Sequence, residues 1–335
     1  MSNQLILSKL KEKANNQNIK LTSLMGYDLT GKTLTLTIKD PCANMQTNES
    51  AFEAWAIVIK SAFGDDIERV VLNIESQYTI PKDNGHYHRL LWRIFNFSEM
   101  FDWFVIGNCK TEVSFFENEK FKKVLINKPS RNRIEEVDIS FLTTEEKDIR
   151  EGERYVESLF ADPSQPYNKE LSKLIGSTVL LNQIPVGLFQ GEVKIGNEIL
   201  TRGASAIDLV GFEGDKILHL IELKKGMNYS LGILSEFLLY TYIMHGVFFT
   251  KTITYPDYNF PSHFEKYKDY IQQGSIQQIK GHLLFEKIHP LIDKESIQLL
   301  NEGLKHFNTS IDRIIYTYTS TDKITNIRHY EDHNS

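Results

Sequence analysis

The sequence predicts an α/β protein of two domains. Three observations carry that reading. The chain has 335 residues, long for one domain and ample for two. Its apolar segments switch repeatedly between a period of two and a helical period. A charged stretch with a proline, "NEKFKKVLINKPSRNRIEE" (118–136), separates halves of different pattern. A charge run is first of all a solvated surface. The boundary is expected within 128–140, with an α/β accessory or recognition domain over 1–135 and a second α/β domain over 136–335.

In the first domain "KTLTLTIKD" (32–40) alternates strictly and reads as a strand. "NESAFEAWAIVIKSAFG" (48–64) reads as a helix, with Asn48 or Ser50 as N-cap and Gly64 past its end. "IERVVLNIE" (67–75) is a strand, "HYHRLLWRIFNFSEMF" (86–101) an aromatic helix, and "WFVIG" (103–107) a strand. Trp92, Phe95, Phe97, Phe101, Trp103 and Phe104 are expected to build this core. His86 and His88 stand two apart and diverge on a helix, so structural or capping roles are expected of them ahead of metal ligation.

In the second domain "TTEEKDIREGERYVESLFA" (143–161) predicts a helix led by Thr143 or Thr144, with acidic residues in its first turn. "NKELSKLIG" (168–176) predicts a short helix ended by Gly176. Strands are expected near 178–195, then a hairpin over 207–225. "YSLGILSEFLLYTYIMHG" (229–246) reads as an apolar helix with Ser230 as N-cap and Gly246 as its stop. "IKGHLLFEKI" (279–288) reads as a strand, "KESIQLLNEGLKHF" (294–307) as a helix and "DRIIYTYTS" (312–320) as a closing strand.

Composition narrows the function classes. The 41% hydrophobic content supports real cores and argues against wholesale disorder. Cys42 and Cys109 are far apart and form no CxxC pattern. No disulfide framework or zinc site is expected, and a cytoplasmic setting is. There is no run long enough to span a bilayer, and the N-terminus lacks the order of a signal peptide. The net charge of −6 disfavours coating nucleic acid by bulk charge. It does not exclude an enzyme, since an acidic site holding divalent cations adds negative charge and a local basic groove can coexist with it. No phosphate loop, nucleotide fingerprint or Ser/His/Asp arrangement competes.

The hairpin "IDLVGFEGDKILHLIELKK" (207–225) carries the chemistry. Its two runs are apolar enough to lie inside a sheet, yet they hold Asp208, Glu222 and Lys224. Residues two apart share a strand face, so Glu222 and Lys224 emerge together at the end of the second run, while His219 points the other way as a sheet-packing residue. The pairing across the turn can bring Asp208 near Glu222, the exact register being unset by sequence. Two adjacent carboxylates repel unless a cation intervenes, and Mg²⁺ or Mn²⁺ takes such oxygen ligands. The backbone carbonyl of Leu223 is a further candidate ligand. Lys224 is placed to orient water or to stabilise charge on an attacked phosphate. The bland alternative is an ion pair at a strand end, since a bare ExK is common.

With "SAIDLVGF" and "LHLIELKK" the chain resembles the PD-(D/E)xK nuclease superfamily. The leading "ERYVESLF" is similar to the helix of its RecB-like and NucS-like branch. The resemblance covers roughly residues 143–320. It implies a restriction-endonuclease-like mixed sheet flanked by helices, one or two Mg²⁺ ions, and hydrolysis of nucleic-acid phosphodiester bonds. Asp208 and Glu222 would bind metal and Lys224 would activate water. Glu157, preferred to Glu153, would assist from the leading helix. Two departures stand out: Ile207 rather than proline precedes Asp208, and Glu236 stands where relatives often have Gln.

Lys225, Asn228, Tyr229 and Arg202 are candidates for contacts to phosphate or base. The Gln190/Glu192 pair is explained by a turn at Gly191. The expected function is thus a Mg²⁺- or Mn²⁺-dependent endonuclease, with DNA ahead of RNA. By analogy with the family it belongs to restriction or phage defence. A homo-oligomer or a partner subunit would engage the N-terminal domain. The alternative is an inactive nuclease-fold module that binds nucleic acid or a partner protein.

Overall fold

The computed structural model describes residues 2–45, 50–75, 85–128, 152–200, 205–226, 230–257, 259–319 and 323–331. The expected boundary within 128–140 falls almost wholly outside them. So do Asn48, Thr143, Thr144, Arg202, Asn228 and Tyr229.

The chain opens with α1 (Ser2–Lys13), then β1 (Met25–Thr30) and β2 (Thr33–Ile38). These strands form a hairpin, and β2 runs parallel to β3 (Arg69–Ile74), which is parallel to β4 (Phe104–Ile106). The alternation of β2 turns Leu34, Leu36 and Ile38 inward. Connections run through α2 (Phe52–Phe63) and α3 (Gly85–Met100). Trp92, Phe97, Phe101 and Phe104 are buried, with Phe95 and Trp103 packed against them.

Ser50 does not cap α2. The N-cap position is Ala51, with no side-chain cap. Arg93 is buried on α3 and needs acceptors. It takes the carbonyl oxygen of Ser50 at 2.8 Å and reaches the Ser50 hydroxyl at 3.4 Å. It also pairs with Glu53. Gly64 follows the helix with φ +54°, as expected.

α4 (Lys110–Lys120) and β5 (Val124–Ile126) come next. The segment read as a charged connector therefore holds a strand: Val124 and Ile126 are buried. Three apolar residues suffice for a ladder but are lost among charged neighbours.

The second half contains α5 (Glu153–Ala161), α6 (Pro166–Ile175), β6 (Val179–Pro185), β7 (Leu188–Gln190), β8 (Ala206–Glu213) and β9 (Ile217–Lys224). It continues with α7 (Gly232–Phe248), β10 (Ile253–Thr254), α8 (Glu265–Gln273), β11 (Gln278–Phe285), α9 (Lys294–Leu304), β12 (Thr309–Thr319) and β13 (Lys323–His329). A six-stranded mixed sheet has the order β13-β12-β11-β9-β8-β6. Its centre, β9-β11-β12, is parallel, and the flanking pairs are antiparallel. A small sheet of order β10-β5-β7 joins segments from both halves. The protein is thus mixed α/β.

One face of the large sheet buries Leu209, Ile221, Leu223 and Ile314 against α5 and α6. The other buries Val210, Phe212, Leu218 and Leu220 in a cluster that includes α7 and the N-terminal helices. α7 is apolar on every side, and a helix of that kind must be enclosed. It is buried almost throughout, with contacts to β9 and β11 and to α2 and α3. Gly281 on β11 lets Phe237 of α7 lie against the strand, where a Cβ would stand 2.1 Å from the ring.

Four expectations need correction. The helix read over 143–161 has its described part starting at Glu153, with Gly152 extended at its N-cap and no side-chain cap. α7 starts at Gly232, although Ser230 does accept the Gly232 N–H on its hydroxyl at 3.0 Å. α7 also runs past Gly246, which is no stop. That glycine admits β10, because a Cβ would stand 2.7 Å from Ile253 Cδ1. β12 does not close the sheet, since β13 pairs with it at the edge. Only Ile324 and Ile327 of β13 are buried, so "KITNIRH" carries little apolar signal. α6 ends at Gly176 with φ +80°, as read.

Candidate active site

The β8-β9 hairpin sets the site. Its register places Leu209 opposite Ile221, so Asp208 stands beside Glu222 at the end of β9. Both carboxylates and Lys224 are buried. Asp208 Oδ2 accepts the Leu223 N–H at 2.8 Å. Leu223 thus turns its N–H toward β8, and in antiparallel pairing a residue's carbonyl turns the same way as its N–H. The carbonyl of Lys224 faces β11 instead, accepting the Glu286 N–H at 3.1 Å.

Lys224 is the hub. Its Nζ lies 3.1 Å from Glu222 Oε1, 3.2 Å from Glu153 Oε1 and 3.4 Å from Glu236 Oε2. Three elements meet here: β9 brings Glu222 and Lys224, α5 brings Glu153, and α7 brings Glu236. Glu157, one turn from Glu153, is buried and accepts a hydrogen bond from Gln183 Nε2. One oxygen each from Glu153, Glu157 and Asp208 lies within 4.8 Å of the other two. Both leading-helix glutamates therefore reach the cluster, Glu153 through Lys224 and Glu157 beside Asp208.

Burial raises the pKa of Asp208 well above the carboxylate range, and Glu157 adds to it. Burial also raises Glu222, with Asp208 and Glu236 reinforcing the shift. Glu157 is pushed up to about 7, chiefly by burial, although the Gln183 hydrogen bond opposes the rise. Burial works against the charge of Lys224, but Glu222, Glu236, Asp208 and Glu153 outweigh it and hold its pKa high. One ammonium stands among a surplus of carboxylates.

The donor set is all oxygen, which suits a hard divalent cation. Glu222 Oε2 is buried with no hydrogen-bond partner among the described residues. Such an atom calls for a partner, and a cation would supply one.

Two contributors were not legible as site residues. Gln183 stands in β6 with φ +53°, a conformation that costs a non-glycine residue energy and concentrates at functional sites. The polar "NQ" inside the apolar run "VLLNQIPVGLF" was the available signal. The second is α3. A cavity of about 1450 Å³ is lined by Asp208, Glu222 and Lys224, and also by Asn44, His86 and Arg89. His86 and Arg89 stand at i and i+3 and share a helix face. His88 also lines the cavity, with Nδ1 3.1 Å from the Ile199 carbonyl oxygen and its ring stacked on Phe116.

The remaining candidates are quickly placed. Lys225 donates its N–H to Glu153 Oε2 at 3.3 Å and sets Nζ over the Tyr318 ring. Gln190 and Glu192 flank the turn at Gly191, with φ +79° there. His219 is fully buried, 2.9 Å from His282, and burial drives its pKa down to about 3. It packs the sheet as a neutral ring.

No family model, curated protein or solved structure matches this chain. The functional reading therefore rests on the site itself.

Proposed function

We propose that the protein is a divalent-metal-dependent nuclease that hydrolyses phosphodiester bonds, of DNA ahead of RNA. The observation that carries this reading is the buried cluster around Lys224. That ammonium touches three carboxylates, while Asp208 and Glu157 add two more beside them. Burial pushes Asp208, Glu222 and Glu157 toward their protonated forms, and adjacent carboxylates of this kind ionise together only when a cation joins them. A purely structural ion pair at a strand end does not require such a cluster.

Asp208, Glu222 and the Leu223 carbonyl would hold the ion, with Glu157 and Glu153 beside them. Bound Mg²⁺ or Mn²⁺ would neutralise charge on the phosphate and lower the pKa of water. Lys224, held by its carboxylates, would orient the attacking water and stabilise charge on the phosphate oxygens. A water oxygen–phosphorus bond forms, the phosphorus–ester oxygen bond breaks, and the leaving oxygen takes up a proton. Gln183 keeps Glu157 in place.

The test is cleavage of duplex DNA, single-stranded DNA, supercoiled plasmid and structured RNA, with Mg²⁺, Mn²⁺ or EDTA. Wild type is compared with Lys224→Ala and Asp208→Ala. Metal-dependent cutting lost in both variants supports the reading. Mn²⁺ uptake without cutting points to a binding module of the same fold. Absence of both cutting and Mn²⁺ uptake sinks the proposal.

A further inference from the structure

The cavity has a second wall, and α3 builds it. His86 and Arg89 line the same space as Asp208, Glu222 and Lys224. Arg89 is only 4% exposed. Its Nη2 lies 3.0 Å from His86 Nδ1 and 3.3 Å from Asn44 Oδ1. Those two neutral contacts fix the plane of the guanidinium. Burial and the neighbouring Arg93 bring its pKa down to about 10, so it stays cationic at neutral pH.

Tyr240 joins the walls. It follows Glu236 by one turn on α7 and lines the cavity. Burial raises the pKa of its hydroxyl, the charges of Glu222, Glu236 and Asp208 add to the rise, and Arg89 opposes it. One wall therefore gathers carboxylates suited to a cation, and the other presents a fixed guanidinium.

A ligand that satisfies both walls carries more than one anionic group. The planar guanidinium holds its charge and its donors at set angles toward a phosphate, which a freely turning ammonium does not. The cavity also exceeds the roughly 300–1,000 Å³ of small-molecule pockets, which suits a segment of chain. We propose that Arg89, oriented by His86 and Asn44, clamps a backbone phosphate of the nucleic acid neighbouring the one attacked at the carboxylate cluster. This rests on the nuclease reading and deepens it, because the N-terminal half then forms part of the substrate site.

The experiment measures binding of a short labelled DNA, single-stranded and duplex, by fluorescence anisotropy over a range of salt. Ca²⁺ replaces Mg²⁺ to hold the complex without turnover. Wild type, Arg89→Gln and Arg89→Lys are compared, with a parallel Mn²⁺ titration of each. Arg89→Gln is expected to bind DNA about tenfold more weakly, in line with loss of a charged hydrogen bond. The slope of log affinity against log salt should fall by about one, and Mn²⁺ affinity should be unchanged. A merely structural arginine would not move that slope.

Wild-type affinity and slope in Arg89→Gln would overturn the clamp while leaving the nuclease reading intact. Failure of wild type to bind DNA, cut it or take up Mn²⁺ would overturn both. If Arg89→Gln does not fold, Arg89→Lys decides: weaker binding with an unchanged slope supports the clamp, and wild-type binding refutes it.

Discussion

Glu157→Gln should make the metal-free protein more stable at pH 8 and leave it unchanged near pH 4.5. Glu157 is buried beside Asp208 and Glu153, and its pKa is raised from 4.5 to about 7. The folded state thus holds a proton that the unfolded state releases. The stability linked to that proton is fully present below about 4.5 and is lost as pH rises through about 7. At about 1.4 kcal/mol per pH unit, the interval sets a penalty of about 3 kcal/mol at pH 8. Glutamine mimics the protonated acid and can still accept from Gln183. Urea unfolding in EDTA at several pH values reads the effect. The difference between variant and wild type should grow with pH toward that figure. A constant difference, or a variant less stable at pH 8, would refute the electrostatic account of the site. Added Mn²⁺ should reverse the order, stabilising wild type more than the variant.

Gln183→Ala removes the donor to Glu157 and should weaken Mn²⁺ binding at least about tenfold, as loss of an orienting partner does; isothermal titration calorimetry would check it. Glu53→Gln leaves Arg93 buried without its carboxylate and strips an acceptor from the Ser235 hydroxyl, 2.8 Å away. It should cost roughly 3–5 kcal/mol in urea unfolding. Gly281→Ala drives a methyl into Phe237 and should cost about 1–3 kcal/mol, read as a lowered melting temperature.

The strands and helices with strong periodicity were legible. β2, α2, β9 and α7 all stand close to where their patterns put them, because burial alone dictated those patterns. The edge elements were not. α1 buries only Ile6 and Leu10, β13 only Ile324 and Ile327, and neither leaves a period to count. Gly246 misled for a physical reason: a glycine at a close approach and a glycine at a helix end look alike in sequence. In the candidate site, Asp208, Glu222 and Lys224 stood out because charge is rare inside apolar strands. Gln183 and Arg89 did not. Their placement depends on how β6 and α3 pack against the hairpin, and one-dimensional spacing holds no record of that.

The enclosure of α7 has a consequence for any attempt to dissect the chain. One side of this helix carries Glu236 and Tyr240 toward the cavity, and the N-terminal helices shield it from behind. Severing the chain between 128 and 140 would not release a self-sufficient C-terminal unit. It would bare a long greasy surface on the fragment that carries α7, and that fragment should precipitate or bind chaperones instead of standing alone. Exchange of the N-terminal half for another unit would demand a replacement that fits the back of α7 as closely as the front fits the sheet.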